Sequence, residues 1–433
     1  MSHTYDRRID VETLARVEGE GAFHVRVEDG KVTQAILRIY EPPRFFEGLL
    51  VGRAHHEPPD ITARICGICP VAYQMSAVAA IEQACGVTIP DEILVLRRLI
   101  YTGEWIESHV LHIAMLHAPD FLGYDSVVDM AKDHRELVDT ALQLRRLGND
   151  ILEVVGGRAV HPINVKVGGF HRAPTARDLE ALLPRLEWAW EAAAELTRVV
   201  AGFEFPELQV PTAFLSLRHD HLYPLESGRI VTTTGIDVPV EDFEDHVVEE
   251  HIPHSTALHA HLSDGTGYLT GPLARFALAG DLLSDGTKAL AAEIGLVAPE
   301  RNPFRSIIVR AVETVEAIGE AIRIITSYQR PSEPAVSVPA RAGRGHGATE
   351  APRGTLFHRY TLGEDGLIAD ARIVPPTSQN QWAIEQDLAA LVEQSLDLDD
   401  DALTWRCEQT IRNYDPCISC STHFLQLHVE GRR

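Results

Sequence analysis

The sequence has few cysteines and no long apolar run. Six cysteines in 433 residues are too few for a disulfide scaffold. No stretch of 18 or more apolar residues is present, so no transmembrane helix is predicted. Basic residues are also scarce: 39 Lys and Arg stand against 63 Asp and Glu, which gives a formal charge of −24. Because phosphate binding requires a surplus of Lys and Arg, nucleic acid is excluded as a main partner.

The sequence also shows neither a common nucleotide-binding motif nor a signal-peptide pattern, which narrows the range of possible functions. No Gly-x-Gly-x-x-Gly motif occurs, so the chain offers no evident nucleotide site of that kind. Residues 1–8 contain no apolar run that could act as a signal peptide, so we expect a cytoplasmic protein without direct membrane insertion. The hydrophobic content of 45% is ordinary for a globular protein. We expect a single domain over residues 1–433.

Helical periodicity dominates the chain, and strand patterns lie near both ends. We therefore expect an α+β fold that is predominantly helical, a long helix bundle with small peripheral sheets. Helices are predicted over 91–116, 130–155, 176–201, 305–329, 379–394 and 400–412. Strands are predicted over 22–27, 31–40, 355–362 and 367–374. Residues 204–280 are predicted as short strands and loops, and residues 331–354 as a long loop.

Four cysteines form two Cys-x-x-Cys pairs, Cys66 with Cys69 and Cys417 with Cys420. Each pair places two thiolates close enough to bind one metal ion. A zinc ribbon does not fit, because 347 residues separate the pairs, and no thioredoxin-like pattern indicates a redox dithiol. Soft thiolates suit nickel, iron, copper or zinc, and the spacing alone does not choose among them. Because the pairs lie near opposite ends, we expect the termini to meet around one site.

The residues around these pairs resemble the large subunit of a nickel–iron hydrogenase, over essentially the whole chain. The strongest motifs are Arg64-x-Cys66-Gly67-x-Cys69 and Asp415-Pro416-Cys417-x-x-Cys420-x-x-His423. Supporting motifs are RVEG at 16–19, RFFE at 44–47, GGR at 156–158, HP at 161–162 and APRG at 351–354. The resemblance implies the fold of that subunit and an oxidoreductase that cleaves H2 heterolytically and reversibly into protons and electrons.

The resemblance also implies a nickel–iron centre, with CO and cyanide on the iron, held by the four cysteines. Cys66 and Cys417 would be terminal nickel ligands, whereas Cys69 and Cys420 would bridge nickel and iron. Cys417 would accept the first proton, and Glu18 would act as the catalytic carboxylate that relays it. The competing interpretation of Glu18 is an ordinary surface carboxylate.

Four further residues would surround this centre. By resemblance, Arg353 lies over the open coordination position near one cyanide, Pro352 shapes the same wall, and Thr377 donates a hydrogen bond to the other cyanide. Asp415 resembles the acidic partner of Arg353. The alternatives are a loop arginine in ordinary salt bridges and, for Asp415, a turn residue before Pro416.

The resemblance implies a second metal away from the nickel. Glu47 and His423 match the ligands of a magnesium ion, or of iron in its place, and the backbone carbonyl of Ile373 is the third expected ligand. A metal site at His251 and His254 is the weaker interpretation, because histidines in polar loops more often make ordinary hydrogen bonds.

Some positions depart from the family pattern. Tyr73 stands where many members have histidine, and Ser108 stands where many have aspartate. These departures, with residues 249–256, resemble the cytoplasmic, pyridine-nucleotide-linked, sulfhydrogenase-like branch. The remaining cysteines, Cys85 and Cys407, cannot hold an iron–sulfur cluster. The resemblance therefore implies an iron–sulfur small subunit, and further flavin and iron–sulfur subunits that exchange electrons with NADP or NAD.

The last ten residues, 424–433, resemble an extension that is removed on maturation. We expect nickel-insertion proteins to load the chain and a maturation protease to cleave between His423 and Phe424. An ordinary C-terminal strand or frayed end is the alternative. Two other functions stay open from the residues: a non-catalytic electron-transfer subunit of the complex I quinone-site type, and a zinc-stabilised scaffold.

Overall fold

Residues 6–42 and 45–423 are described by the structure, which is a computed structural model. The extension predicted at 424–433 lies outside the described residues. Helices α1 to α17 span Phe46–Leu50, Pro58–Thr62, Pro70–Cys85, Asp91–Val110, Ala118–Leu122, Val127–Met130, Arg135–Gly156, Ala176–Glu180, Leu183–Ala201, Phe243–His246, Pro272–Ala279, Asp285–Glu293, Ser306–Thr326, Pro376–Gln379, Gln381–Gln394, Asp400–Arg412 and Ile418–Ser421. Strands β1 to β14 span Arg7–Val11, Gly21–Glu28, Lys31–Ile39, Val165–Lys166, Gly169–Phe170, Ala213–Arg218, Arg229–Thr232, Asp237–Val238, Val247–His251, Leu258–Leu262, Tyr268–Leu269, Gly343–Ala351, Gly354–Leu362 and Ile368–Val374.

The predominantly helical α+β fold is confirmed, and each predicted helical segment contains a helix. α4 passes into a π-helical turn, Leu111–His117, before Pro119. The helix predicted over 176–201 is divided into α8 and α9, and Pro184 lies in the first turn of α9, where its missing N–H removes no helical hydrogen bond. No helix in the described ranges has the length and apolarity needed to cross a membrane.

The long helices pack around one hydrophobic core. α4 contacts α7 and α13, and α9 contacts α13 and α7. At the α4–α7 crossing, two glycines face each other: a Cβ on Gly148 would lie 2.6 Å from the carbonyl oxygen of Gly103. Only glycine permits such a close approach of two helix backbones. The crossing lies beside Glu107 of α4, because the same Cβ on Gly148 would lie 2.7 Å from the backbone nitrogen of Glu107.

A three-stranded antiparallel sheet, β12–β13–β14, supports α3. The loop predicted at 331–354 is therefore wrong for Gly343–Ala351, which is strand β12. Glycines at 343, 345 and 347 alternate along this strand and present one face to α3. A Cβ on Gly345 would lie 2.0 Å from the carbonyl oxygen of Ala80, so α3 lies directly on the strand. The prediction failed because glycine-rich sequence is also typical of loops.

We expect Gly345→Ala to lower the free energy of unfolding by about 3 kcal/mol or more. Overpacking typically costs about 1–3 kcal/mol, and here the obstacle is backbone, which yields less than a side chain does. Chemical denaturation followed by circular dichroism measures the change. Gly286→Ala in α12 is the matched control, because its Cβ would meet Trp190 at an ordinary 3.4 Å. Equal stability of the two variants would contradict the packing of α3 on β12.

The two ends of the chain meet beside this sheet. Strands β1, β2 and β3 form an antiparallel sheet, and α15 packs against β3. Glu18 pairs as a parallel bridge with Cys417, and Thr422 pairs with Ala257 in the β9–β10 region. The region predicted as short strands and loops contains β6 to β11, and the helix α11 begins near its end. The expected meeting of the termini is confirmed, and it brings both cysteine pairs together.

Candidate metal centre

The first cysteine pair lies at the beginning of α3. Cys66 is in the turn before the helix, and Cys69 is its N-terminal cap residue. The backbone N–H groups of Ile68 and Cys69 both donate to Cys66 Sγ, at 3.3 Å. These donors, and the positive end of the α3 dipole, stabilise a thiolate at this position. Pro70 suits the first helical position, where its missing N–H removes no helical hydrogen bond.

The second pair lies on the short helix α17. The N–H of Cys417 donates to Thr377 Oγ1 at 3.0 Å, and the N–H of Ile418 donates to the carbonyl oxygen of Glu18 at 3.0 Å. Asp415 has a left-handed backbone, with φ of +49°, and lies just before Pro416. The turn proposed for Asp415 therefore exists, and it directs Cys417 toward the first pair.

The four sulfur atoms form one buried cluster. The Sγ atoms of Cys66 and Cys417 are 3.4 Å apart, those of Cys69 and Cys420 are 4.0 Å apart, and those of Cys417 and Cys420 are 2.6 Å apart. All four lie within 4.8 Å of one another, and none is in a disulfide. Four soft thiol ligands in such a cluster match the donor set of a nickel, iron or zinc site.

Electrostatics of the cluster favour a bound cation. Hydrogen bonds from the other three thiols hold the pKa of Cys66 well below its usual range. Burial raises the pKa values of Cys417 and Cys420. One of the four cysteines is therefore stable as a thiolate without a metal ion. Further thiolates would repel it, because the site is buried away from the solvent that would screen their charges. A metal ion with two or more positive charges offsets that repulsion, so the donor set fits the predicted metal centre.

Glu18 lies directly against the cluster. The thiol of Cys417 donates to Glu18 Oε2 at 3.2 Å, and the N–H of Ser419 donates to the same oxygen at 3.1 Å. Ser419 Oγ in turn donates to Glu41 Oε2 at 3.1 Å. A Cβ on Gly19 would lie 2.7 Å from that Glu41 oxygen, so glycine in this motif leaves room for Glu41. A surface carboxylate alone does not describe Glu18, and Glu41 is a neighbour that the motifs do not reveal.

Arg353 is buried and paired with Asp415. Its Nε donates to the Asp415 carbonyl oxygen at 2.6 Å, and Nη2 donates to Oδ1 at 3.0 Å. Burial alone would lower the pKa of Arg353, but Asp415 and the cysteine thiolates raise it well above its usual range. Its Nη1 has no hydrogen-bond partner among the described residues. The carbonyl oxygen of Pro352 accepts from Arg275 at 3.0 Å, which fixes the wall next to Arg353.

Glu47, His423 and Ile373 meet beside a cavity of about 320 Å³. Glu47 Oε2 is 3.0 Å from His423 Nε2, and Glu47 Oε1 accepts from the N–H of Ile373 at 2.7 Å. Glu249 lines the same cavity, and its Oε1 has no hydrogen-bond partner among the residues described. Burial raises the pKa of Glu249 to about 7. The motifs do not reveal Glu249, because it is the β9–β10 hairpin that brings this residue close to His423. No local sequence pattern indicates that contact.

Two buried carboxylates of α4 lie near the first cysteine pair. Glu104 accepts from the N–H groups of Val71 and Ala72 at 2.6 and 3.1 Å, which caps α3. Glu107 is buried beside Arg145, at 3.5 Å, and burial raises its pKa to about 7. Neither carboxylate is predicted as a site residue. Glu107 directly precedes Ser108, the position where many family members have aspartate. A carboxylic acid is therefore still present on this part of α4.

The segment before Asp415 is anchored by a buried hydrogen bond. The hydroxyl of Tyr414 donates to Asp387 Oδ2 on α15. Burial raises the pKa of Asp387 from its ordinary 3.8 to about 7. Between these two values, the folded protein holds a proton that the unfolded chain releases. The resulting contribution to stability is present below about pH 4 and is lost as the pH rises through about 7.

We expect Asp387→Asn to remove this loss of stability. The amide oxygen still accepts from Tyr414, and it carries no charge at any pH. Relative to the wild type, the variant should gain stability between pH 4 and pH 8, by up to about 4 kcal/mol, since one pKa unit is about 1.4 kcal/mol. Thermal unfolding from pH 4 to 8 measures the difference. Asp397→Asn at an exposed position is the control, and parallel pH curves for both variants would contradict the prediction.

Comparisons with known proteins agree with this geometry. A family model described as nickel-dependent hydrogenase matches residues 44–140 and 289–423, more than half of the chain. The chain is 32% identical to "Sulfhydrogenase 1 subunit alpha" of Pyrococcus furiosus, over 97% of this chain and 98% of that one. It is 31% identical to "Sulfhydrogenase 2 subunit alpha" of the same organism, over 97% and 100%.

Solved structures share the fold. A chain from the crystal structure of NAD+-reducing [NiFe]-hydrogenase in the H2-reduced state has a TM-score of 0.87 at 27% identity, covering 96% of this chain and 99% of that one. A [NiFeSe] hydrogenase from Desulfovibrio vulgaris Hildenborough has a TM-score of 0.77 at 24% identity, over 97% and 100%, and supports the fold alone. With four cysteines gathered as its motifs require, the chain belongs to the nickel-dependent hydrogenase family.

Proposed function

We propose that the chain is the catalytic subunit of a nickel–iron hydrogenase, an oxidoreductase that converts H2 reversibly into protons and electrons. The observation that carries the proposal is the cluster of four buried, free thiols whose sulfur atoms lie within 4.8 Å of one another. Cys66 and Cys417 would be terminal nickel ligands, and Cys69 and Cys420 would bridge nickel and iron. When bound, such a centre supplies the site for H2 and for the exchange of its electrons.

The residues next to the cluster would move the proton. The thiol of Cys417 donates a hydrogen bond to Glu18 Oε2. The distance of 3.2 Å is short enough for direct proton transfer. The N–H of Ser419 donates to the same oxygen at 3.1 Å and so holds the Glu18 side chain in place. Glu41, linked through Ser419 Oγ, is the next carboxylate outward. Glu18 is thus proposed as the first proton acceptor beyond the thiols.

Arg353 and Thr377 would fix the ligands of the iron. The free Nη1 of Arg353 is a buried donor, and a cyanide ligand would satisfy it. Thr377 Oγ1 accepts from Cys417 N–H, which leaves its hydroxyl hydrogen for a second cyanide. Asp415 holds the guanidinium in place by two hydrogen bonds. The CO ligand needs no donor from the protein.

A second metal, magnesium or iron, would lie at Glu47 and His423. Glu47 and Glu249 supply carboxylate oxygens, His423 supplies a ring nitrogen, and the carbonyl of Ile373 is the proposed backbone ligand. The cavity at these residues, about 320 Å³, also has room for the waters that a hard cation keeps. The buried Glu249 Oε1 without a hydrogen-bond partner is an observation that favours a cation at this place.

Electrons would leave through other subunits. The described structure holds only Cys85 and Cys407 beyond the centre, and they are buried apart from it. An iron–sulfur small subunit, followed by flavin and further iron–sulfur subunits, would carry electrons to NADP or NAD in the cytoplasm. The similarity to sulfhydrogenase alpha subunits and to an NAD+-reducing enzyme supports this proposal.

Maturation would end with removal of residues 424–433. His423 is held by its N–H, which donates to the carbonyl oxygen of Thr256 at 2.9 Å, and by its ring at Glu47. Nickel-insertion proteins and a maturation protease are the proposed partners of this step. Intact mass spectrometry tests it: a metal-loaded, active chain that still carries the ten residues would contradict the cleavage.

Infrared spectroscopy is the direct test of the proposed function. The protein is purified with its native partner subunits, and nickel, iron and zinc are measured in the same sample. Metal-bound CO and cyanide stretches, together with nickel and iron, are expected. Zinc without these bands in the cleaved chain would favour the zinc-stabilised scaffold, and a chain without metal would favour the electron-transfer subunit.

A further inference from the structure

Three residues that could together bind a metal ion lie outside the cysteine centre, and they are distinct from Glu47, Glu249 and His423. His254 is in the connection between β9 and β10, His259 is in β10, and Glu385 is in α15. One ligand atom from each lies within 4.8 Å of the other two. The three come from separate parts of the chain, so their meeting is produced by the packing of α15 on β10.

The hydrogen bonds of this group leave one nitrogen unsatisfied. His254 Nε2 lies 2.9 Å from Glu385 Oε1, which also accepts from the N–H of Leu37 at 3.0 Å. His259 is only 5% exposed, and its Nε2 has no hydrogen-bond partner in the described part of the chain. A buried polar atom without a partner costs about 1–3 kcal/mol, so its presence in a packed region needs an explanation.

We propose that His254, His259 and Glu385 bind a divalent transition metal ion, with zinc as the best match. Two imidazoles and one carboxylate are a typical zinc donor set, and a water molecule completes the tetrahedron. In a tetrahedron, zinc–ligand distances of about 2.0–2.2 Å place neighbouring ligand atoms about 3.3–3.6 Å apart. The present separations need only small side-chain movements to reach that geometry. Magnesium fits less well because it prefers oxygen ligands.

The chemistry of the group suits this ion, because zinc binds the neutral ring of histidine and the carboxylate of glutamate. Without a metal, the same residues form only the ion pair of His254 with Glu385, and that pair does not involve His259 Nε2.

The position of the site indicates what the metal does. The connection that carries His254 also holds the C-terminal segment, because the carbonyl oxygen of Thr256 accepts from the N–H of His423 and Ala257 pairs with Thr422. Thr256 Oγ1 further donates to the carbonyl oxygen of Ile39, at the end of β3. A metal bound here would therefore link this connection to α15. It would stabilise the segment at Thr256 and Ala257, which pairs with the residues that follow Cys420.

Zinc titration of the holoenzyme tests the site. The complex is purified with its native subunits, freed of loosely bound metal with EDTA, and titrated calorimetrically with zinc chloride. We expect the wild type to bind one additional zinc ion per chain. His259→Gln should bind it at least about 100-fold more weakly, since even residues that only support metal ligands are worth about 10–100-fold. His221→Gln, at an exposed histidine, is the matched control and should bind like the wild type.

Cobalt substitution identifies the ligands. Co²⁺ at this site should give tetrahedral d–d absorption without thiolate-to-cobalt charge transfer, which separates it from any cobalt at the cysteines. Absence of additional zinc in the wild type, or equal affinity in His259→Gln, would overturn the proposal. Should His259→Gln fail to fold, the part-buried ligand is changed instead: weaker zinc binding by His254→Gln supports the site, and wild-type affinity overturns the proposal.

Discussion

Glu18→Gln should suppress H2 turnover by about 10²–10⁴-fold, the usual contribution of a positioned general acid–base group. Glutamine preserves the local structure, because its amide oxygen can still accept from the N–H of Ser419. Both donors meet the same oxygen of Glu18, so the amide oxygen also accepts from the thiol of Cys417. An amide oxygen is a far weaker base than a carboxylate, so the hydrogen bond is retained but the side chain can no longer take the proton from the thiol.

The measurement is H2 oxidation with an artificial electron acceptor, in parallel with nickel and iron analysis of the same sample. We expect unchanged metal content and unchanged infrared bands, which separates a proton-transfer defect from a failure of assembly. Glu20→Gln is the matched control, because Glu20 is an exposed carboxylate two residues away. Normal turnover in a fully metal-loaded Glu18→Gln enzyme would remove Glu18 from the proton route.

Motifs predicted the centre well because its residues lie in short, specific segments. Cys66 and Cys69 share one turn, as do Cys417 and Cys420, so local spacing already specifies each half of the site. Asp415 and Arg353 each lie in a short motif, and in the structure Arg353 Nη2 donates to Asp415 Oδ1 at 3.0 Å. Joining the halves required only that the ends of the chain meet, which the bridge between Glu18 and Cys417 provides.

Elements with unusual surroundings were harder to predict. α3 lies outside the predicted helices because it is buried on nearly all sides and so lacks the polar face that reveals an amphipathic helix. β12 was predicted as a loop because its alternating glycines serve close packing. The group of His254, His259 and Glu385 depends on contacts between β10 and α15, so no local sequence pattern predicts it.

Glu249 and Glu107 show a second limit of sequence reasoning. Both are buried carboxylates whose pKa values burial raises to about 7, yet neither stands in a motif with a cysteine. Their environment comes from tertiary packing, of the β9–β10 hairpin in one case and of α4 on α7 in the other. α4 contains five other charged residues besides Glu107, so the sequence does not single out this carboxylate.

The largest effect is expected from Cys420→Ser, which should abolish assembly of the paired metals. The Sγ atom of Cys420 lies 4.0 Å from that of Cys69 and 2.6 Å from that of Cys417, so Cys420 forms one of the two contacts between the halves of the cluster. The other contact joins Cys66 and Cys417 at 3.4 Å. A serine hydroxyl is a hard, weakly acidic ligand, and in this buried site it stays protonated. Nickel and iron prefer soft thiolates, so the hydroxyl cannot replace the sulfur that we propose to bridge them.

We expect nickel and iron in Cys420→Ser at least about 100-fold below the wild type, given that even supporting residues of a metal site are worth about 10–100-fold. Metal analysis and the loss of CO and cyanide bands measure the effect. Cys85→Ser is the matched control, because Cys85 is also buried but lies outside the cluster and should keep both metals. Full nickel, iron and turnover in Cys420→Ser would exclude a bridging role for this sulfur, and the centre would then have to be held by the other three cysteines.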